Sequence, residues 1–260
     1  DSIRCAFHEG NNLFLSKGLT NYVSNMLHCF EQNQTIYIPS VYMEGETLSY
    51  DTFFRLKDCI CIVKTVSEVL ERIHQAGYLY LDLKPENIWI LSNVSGTGIT
   101  ELVQLFDFDS LVEVKRIRQG EEQGVRLSYT RGFAALEHQM GQIFRIGFYT
   151  DVYSVGAVLF YLLFGTPPRA QDCEESASYD FSKSKYGDVG YQDRLFSKLT
   201  DFFHRTLANY RYDRYQTMSE VVEELNALVC LADTSVPYII STVVIPDKIF
   251  VGRDTETEKL

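Results

Sequence analysis

Apolar residues recur at helical spacing over "TFFRLKDCICIVKTVSEVLERIHQAG" (52–77), with Ile62, Val66, Val69, Leu70 and Ile73 on one face and Gly77 as the stop. This predicts a long amphipathic helix. "DVYSVGAVLFYLLFG" (151–165) is the most apolar segment and is followed by Pro167 and Pro168, so it predicts a buried core helix. "RLFSKLTDFFHRTLANY" (194–210) and "TMSEVVEELNALVCL" (217–231) read as amphipathic helices, with Thr217 or Ser219 placed to cap the second. Strand patterns are shorter. "QTIYIPSVYMEG" (34–45) reads as a strand running into a turn, and "NIWIL" (87–91) and "ELVQLFDF" (101–108) as strands joined by the hairpin connection "SNVSGTG". Residues 1–30 show no clear period, and 109–150 and 170–192 are polar and irregular. A few strands followed mostly by helices predict an α+β arrangement with a helical main body and no internal repeat.

Composition narrows this only slightly. A chain of 260 residues with 45 % hydrophobic and 23 % charged residues is ample for a real core. The formal net charge of −11 repels phosphate backbones, so nucleic acid is not an expected partner, and a cationic peptide or protein substrate is favoured. Cysteines at 5, 29, 59, 61, 173 and 230 form no C-x-x-C pair, which argues for reduced thiols in a cytoplasmic protein rather than zinc or a redox dithiol. The apolar run Val155–Phe164 is too short for a bilayer, which takes about 20 residues, so no membrane span is expected.

The chemistry concentrates in "YLYLDLKPENIWIL" (78–91) and "LFDFDS" (105–110). Asp82 and Asp107 each follow an apolar segment and precede a loop. Either acid alone is an ordinary turn former. Together with Asn87 they offer the hard oxygen ligands that Mg²⁺ takes alongside substrate phosphates. A remaining carboxylate can accept a proton from an attacking hydroxyl, and Lys84 can neutralise charge on a transferring phosphoryl group.

"LDLKPEN" resembles the catalytic loop of the eukaryotic-type (Hanks-type) Ser/Thr protein kinases, H-R-D-L-K-P-x-N. The likeness continues in order. Asp107-Phe108-Asp109 stands where that family has D-F-G, "TRGFAALEH" (130–138) resembles T-x-G-Y-x-A-P-E, and "DVYSVGAVLFYLLFGTPP" (151–168) resembles the D-x-x-S-x-G helix. "RYDRYQTMSEVVEEL" (211–225) is similar to the final Arg-bearing helix, and "FEQNQTIYIPSVYMEGETL" (30–48) to the last N-lobe strand and hinge. The resemblance implies a kinase fold, ATP and Mg²⁺ as cofactors, and transfer of the γ-phosphoryl group to a protein Ser or Thr. It implies Asp82 as catalytic base, Lys84 near the γ-phosphate, Asn87 and Asp107 as metal ligands, and Thr130 as the threonine that steadies the base. Met43 would offer backbone groups to adenine, Ser40 would sit behind it and Trp89 would stand at the adenine floor. Glu137 would pair with a buried arginine, Arg214 being the candidate, and Asp151 would brace the loop.

There are departures. Tyr80-Leu81 replaces His-Arg, which removes the usual receptor for a phosphorylated activation loop. Asp109 replaces a glycine, Leu136 a proline, and Trp89 a smaller residue. Neither a Gly-rich phosphate loop nor a strand lysine is recognisable before Tyr37, with Glu9 as a possible helix glutamate. These features raise a pseudokinase acting as a regulatory module as the alternative. The expected organisation is a partial kinase N-lobe over 1–43, a C-lobe over 44–231, and a linker over 232–260. The end of that linker, "FVGRDTETEKL" (250–260), resembles the opening of a regulatory P-loop ATPase module, an adjoining partner domain.

Overall fold

The computed structural model describes residues 30–33, 35–37, 42–52, 54–91, 99, 103–108, 110–119, 129–187 and 193–232. Glu9, Ser40, Asp109, the connection at 92–98, and the expected linker from 233 onward lie outside the described residues, as does most of the expected N-lobe.

The body is helical. Helix α1 (Leu56–Gln75) begins where the Asp58 carboxylate accepts the Arg55 backbone N–H at 3.2 Å. Its apolar face, including Leu56, Ile60, Val63, Val66, Leu70 and Ile73, is buried, as the three-and-four spacing requires. Two short helices, α2 (Val114–Gln119) and α3 (Leu136–Gln139), precede α4 (Phe148–Phe164), which is buried on nearly every side. Then come α5 (Asp193–Thr206) and α6 (Met218–Ala232). Helix α1 packs against α6 and α4, and α4 against α5. The last contact is close: a Cβ on Gly156 would lie 2.3 Å from Thr206 Oγ1, so only glycine admits this crossing. Thr217 and Glu220 form the cap of α6. The Glu220 carboxylate accepts the Thr217 N–H at 2.9 Å and Thr217 Oγ1 accepts the Glu220 N–H at 3.4 Å. Ser219 points elsewhere, donating to Glu71 of α1.

Among the described residues there are also seven short strands. β1 (Phe30–Gln32) pairs with β2 (Thr35–Tyr37). β3 (Gly45–Thr47), β5 (Ile88–Leu91) and β6 (Val103–Leu105) form an antiparallel sheet with β5 in the middle, and Thr47, Trp89 and Gln104 stand in one row. Ile88 and Ile90 face the core, which turns Trp89 and Leu91 to the opposite face. β4 (Tyr78–Leu79) pairs with β7 (Val112–Glu113).

Two stretches expected to be irregular are better organised than their sequence suggests. Residues 109–150 contain β7, α2 and α3, elements of two to six residues that are shorter than any readable period. Within 170–192, Cys173, Phe181 and Tyr186 are buried; Tyr186 donates to the Phe54 carbonyl at 2.7 Å, and Lys185 to the carbonyls of Tyr50 and Thr52. Helix α4 starts at Phe148 rather than 151, because Thr150 Oγ1 accepts the Gly147 N–H at 3.1 Å and starts the turn early. Among the described cysteines, Cys59, Cys173 and Cys230 are free thiols.

Candidate active site

The loop from Tyr80 to Asn87 leaves β4 and enters β5, and its backbone is fixed from behind. Asp151, fully buried in the first turn of α4, accepts the Tyr80 N–H at 2.9 Å and the Leu81 N–H at 2.8 Å. His74 of α1 places Nε2 2.8 Å from the same carboxylate. A buried carboxylate without such partners would cost several kcal/mol. Here its partners tie the loop to α1 and α4, and the N-terminus of α4 favours its charge. The anchoring holds Leu81 at φ +63°, a left-handed backbone that side-chain-bearing residues adopt only under constraint.

Asp82 follows. Its Oδ2 accepts from Lys84 Nζ at 2.7 Å and from Asn87 Nδ2 at 3.1 Å, and its Oδ1 faces Thr130 Oγ1 at 3.4 Å. The Asn87 amide also donates to the Asp82 carbonyl at 2.8 Å, closing the loop over a single turn, Pro85–Asn87. Asp82 and Asn87 are buried, while Lys84 and Thr130 are partly exposed. Thus four of the expected site residues meet, with Lys84, Asn87 and Thr130 converging on the Asp82 carboxylate.

The fifth is brought alongside by the sheet. The Phe106 N–H donates to the Asn87 carbonyl at 2.9 Å, and Tyr80 Oη donates to the Phe106 carbonyl. Burial, reinforced by the charges of Asp107 and Asp82, pushes the Tyr80 phenol well above its ordinary range, so it stays a donor. Its ring meets Phe108 edge-on at 5.5 Å. Between these two held neighbours, Asp107 is exposed at φ +55°. Asn87 and Asp107 are hard oxygen donors, and no group of three His, Cys, Asp or Glu able to hold a metal exists among the described residues. That donor set fits an ion such as Mg²⁺ sharing its ligands with phosphates and water, not an all-protein cage.

Trp89 lies on the sheet two residues beyond Asn87, and Met43 just before β3 beside the exposed Tyr42. The indole packs 5.6 Å from the Phe106 ring and extends over Gly45, where a Cβ would lie 2.4 Å from Nε1. Trp89 pairs directly with Thr47 and fits this face because Gly45, its diagonal neighbour on the same strand as Thr47, has no side chain.

Farther off, Glu137 and Arg214 form a two-pronged pair at 2.8 and 3.1 Å, both buried. Arg214 also donates to the carbonyls of Ala208 and Tyr149, and Thr150 Oγ1 donates to Glu137 at 2.9 Å. Sequence reading passed over two residues, His74 and the Tyr80 hydroxyl. The signal for His74 was a polar residue on the apolar face of α1.

Comparisons with known proteins bear on the family and the fold. The family model described as "Protein kinase domain" matches residues 8–225. Serine/threonine-protein kinase PknB of Mycobacterium tuberculosis is 26 % identical over 194 residues, covering 73 % of this chain and 30 % of PknB. Smooth-muscle myosin light chain kinase of Gallus gallus is 31 % identical over 140 residues, covering 51 % of this chain and 7 % of that protein. The matches thus span under a third of these relatives' lengths. Among solved structures, the Mycobacterium tuberculosis PknI kinase domain superposes with TM-score 0.57 at 18 % identity, covering 88 % of this chain and 79 % of that one. The twitchin kinase region of C. elegans gives 0.57 at 20 % identity, covering 83 % and 39 %. With an α+β fold of this topology and a family match over most of its length, the chain belongs to the protein kinase domain family.

Proposed function

We propose that this chain is the catalytic domain of a protein serine/threonine kinase, transferring the γ-phosphoryl group of ATP to a Ser or Thr hydroxyl of a protein. The observation that carries the reading is the convergence of Lys84, Asn87 and Thr130 on Asp82 in a loop braced by Asp151.

Asp82 is the base. Its Oδ1, held only at 3.4 Å by Thr130, is the oxygen open to an incoming hydroxyl. The hydroxyl proton passes to Asp82 as the hydroxyl oxygen bonds to the γ-phosphorus and the bond to the leaving ADP oxygen breaks. Lys84, already 2.7 Å from Asp82, supplies positive charge to the phosphoryl oxygens. Asn87 and Asp107 would hold Mg²⁺, which neutralises phosphate charge when bound. Met43 would offer backbone groups to the adenine and Trp89 would stand at its floor, and the domain works in the cytoplasm. Among the described residues no helix is long and apolar enough to cross a membrane.

The test uses the full-length protein with labelled ATP, Mg²⁺ and a basic protein substrate. Incorporation that is lost in Asp82→Ala and Asp107→Ala supports the reading. Mg²⁺-dependent ATP binding without transfer in the wild type would leave a nucleotide-binding pseudokinase instead.

A further inference from the structure

Helix α3 has its polarity reversed. The residues it buries are Glu137 and His138, while Leu136, its first residue, is 45 % exposed and Met140, which closes it, 61 %. Leu136 and Met140 are four apart, so they share one side of the turn. A surface helix ordinarily does the opposite, turning its apolar side chains inward. Phe144 extends the apolar side. It lies in the single turn Ile143–Arg145 packed on α3 and is 71 % exposed. Side chains tie the two turns together: Gln142 Nε2 donates to Met140 Sδ at 3.4 Å, and Arg145 Nη1 donates to Gln142 Oε1 at 3.1 Å. Single exposed apolar residues are commonplace, but four of the nine large ones exposed among the described residues fall between Tyr129 and Phe144, so here they are gathered.

The charge of the same stretch is the reverse of the chain's. Between Tyr129 and Gly147 the sole acid is Glu137, which is buried and engaged by Arg214. The two arginines of the stretch, Arg131 and Arg145, are exposed. Among the described residues Arg145 meets only the neutral Gln142 and Arg131 has no ion pair. A chain of net charge −11 thus leaves two cations uncompensated beside three exposed apolar side chains. Interfaces place bulky apolar side chains at their centre and arginine around them, and partners match the potential they meet. The complement of this face is acidic and apolar, the opposite of the cationic substrate that the acidic chain as a whole favours.

We propose that Leu136, Met140 and Phe144, rimmed by Arg131 and Arg145, form a docking surface for a protein segment that carries carboxylates together with bulky apolar side chains. None of the five side chains is bonded to the Asp82 group, and the surface stands on exposure and charge rather than on the kinase reading. Phe144 and Met140 are the anchors, and Arg145 selects the charge.

The experiment is selection of a random dodecapeptide library displayed on phage against the immobilised full-length protein. Clones that also bind Phe144→Ser protein are discarded, which removes peptides held elsewhere, the basic ones attracted to the acidic remainder included. The sequences kept should be enriched in Asp and Glu together with Leu, Phe or Trp. Synthesised and titrated by fluorescence anisotropy, they should bind about tenfold or more weakly to Phe144→Ser, Leu136→Ser and Arg145→Glu, and near wild-type strength to Arg145→Lys. All four side chains replaced are at the surface, and unfolding temperatures close to wild type verify that the variants are folded. Kept sequences that are basic or show no charge preference overturn the proposal, as does a library that yields nothing dependent on Phe144. Sedimentation supplies the remaining contrary outcome: a wild-type dimer that becomes a monomer in Phe144→Ser would make the occupant a second copy of this chain.

Discussion

Two ion pairs in this molecule have the same chemistry and opposite surroundings. Glu137–Arg214 is sealed: the arginine side chain is 0 % exposed and the glutamate 5 %. The arginine donates to three backbone carbonyls besides the carboxylate, those of Ala208, Tyr149 and Asn209. Asp82–Lys84 is half open, with the lysine 21 % exposed and the carboxylate's second oxygen held only at 3.4 Å. A saturated pair has no capacity left for a substrate, so it fixes the loop after α5 to α3 and the start of α4. An unsaturated pair, on a rigid loop, keeps a charge and an acceptor ready for one. The lesson is that the number of partners already engaged, more than burial alone, separates a structural pair from a chemical one.

The comparison is broken most forcefully at the sealed pair. Arg214→Ala leaves Glu137 charged and buried without its partner and should cost about 3–5 kcal/mol of folding stability, read by thermal or urea unfolding. Removing the open pair should act on rate instead. Asp82→Asn keeps the shape, and should lower kcat by about 10²–10⁴-fold in a phosphate-transfer assay while unfolding near the wild-type temperature. Between the two lies the sheet. Gly45→Ala would bring a Cβ to 2.3 Å from the Ile90 carbonyl oxygen and 2.4 Å from Trp89 Nε1. It should cost about 1–3 kcal/mol and weaken ATP binding measured by calorimetry, because the displaced indole lies on the face proposed for adenine.

The smallest effect sharpens the role of burial itself. The Cys59 thiol is pushed up from 9.0 to about 12 by burial, against a hydrogen bond with Tyr186 that works the other way. The folded state therefore keeps a proton that the unfolded chain loses above pH 9. Stability from this group is complete below pH 9 and is lost as the pH rises from 9 toward 12, by roughly 1 kcal/mol at pH 10. Urea unfolding at pH 8, 9 and 10 checks it, and Cys59→Ser should flatten the slope.

Much of this was legible in the chain. The period of α1, α4, α5 and α6 is a burial pattern written in the order of residues, and the fold followed it with ends shifted by a few positions. The loop "LDLKPEN" set Asp82, Lys84 and Asn87 within a few residues of one another, and they are in contact; Glu137 with Arg214 was anticipated and is paired. What escaped depends on contacts between distant segments. Residues 112–119 form strand and helix only because Leu79 and Leu81 receive them. Cys173, Phe181 and Tyr186 anchor a stretch whose apolar residues are too sparse to show a period. The left-handed backbone of Leu81 and Asp107 has no signature in those residue types, which ordinarily avoid or only tolerate it. Trp89 looked oversized until the sheet register set it over Gly45.

The measurement that tests the central contrast most directly pairs Asp82→Asn with Arg214→Lys in the full-length protein. Each variant is assayed for kcat of phosphate transfer and for unfolding temperature in the same preparations. The account predicts a crossed result: Asp82→Asn loses transfer and keeps its unfolding temperature, while Arg214→Lys unfolds several degrees lower and retains kcat within a few-fold at temperatures where it is folded. Transfer that survives in Asp82→Asn, or a loss of stability in that variant as large as in Arg214→Lys, would contradict it.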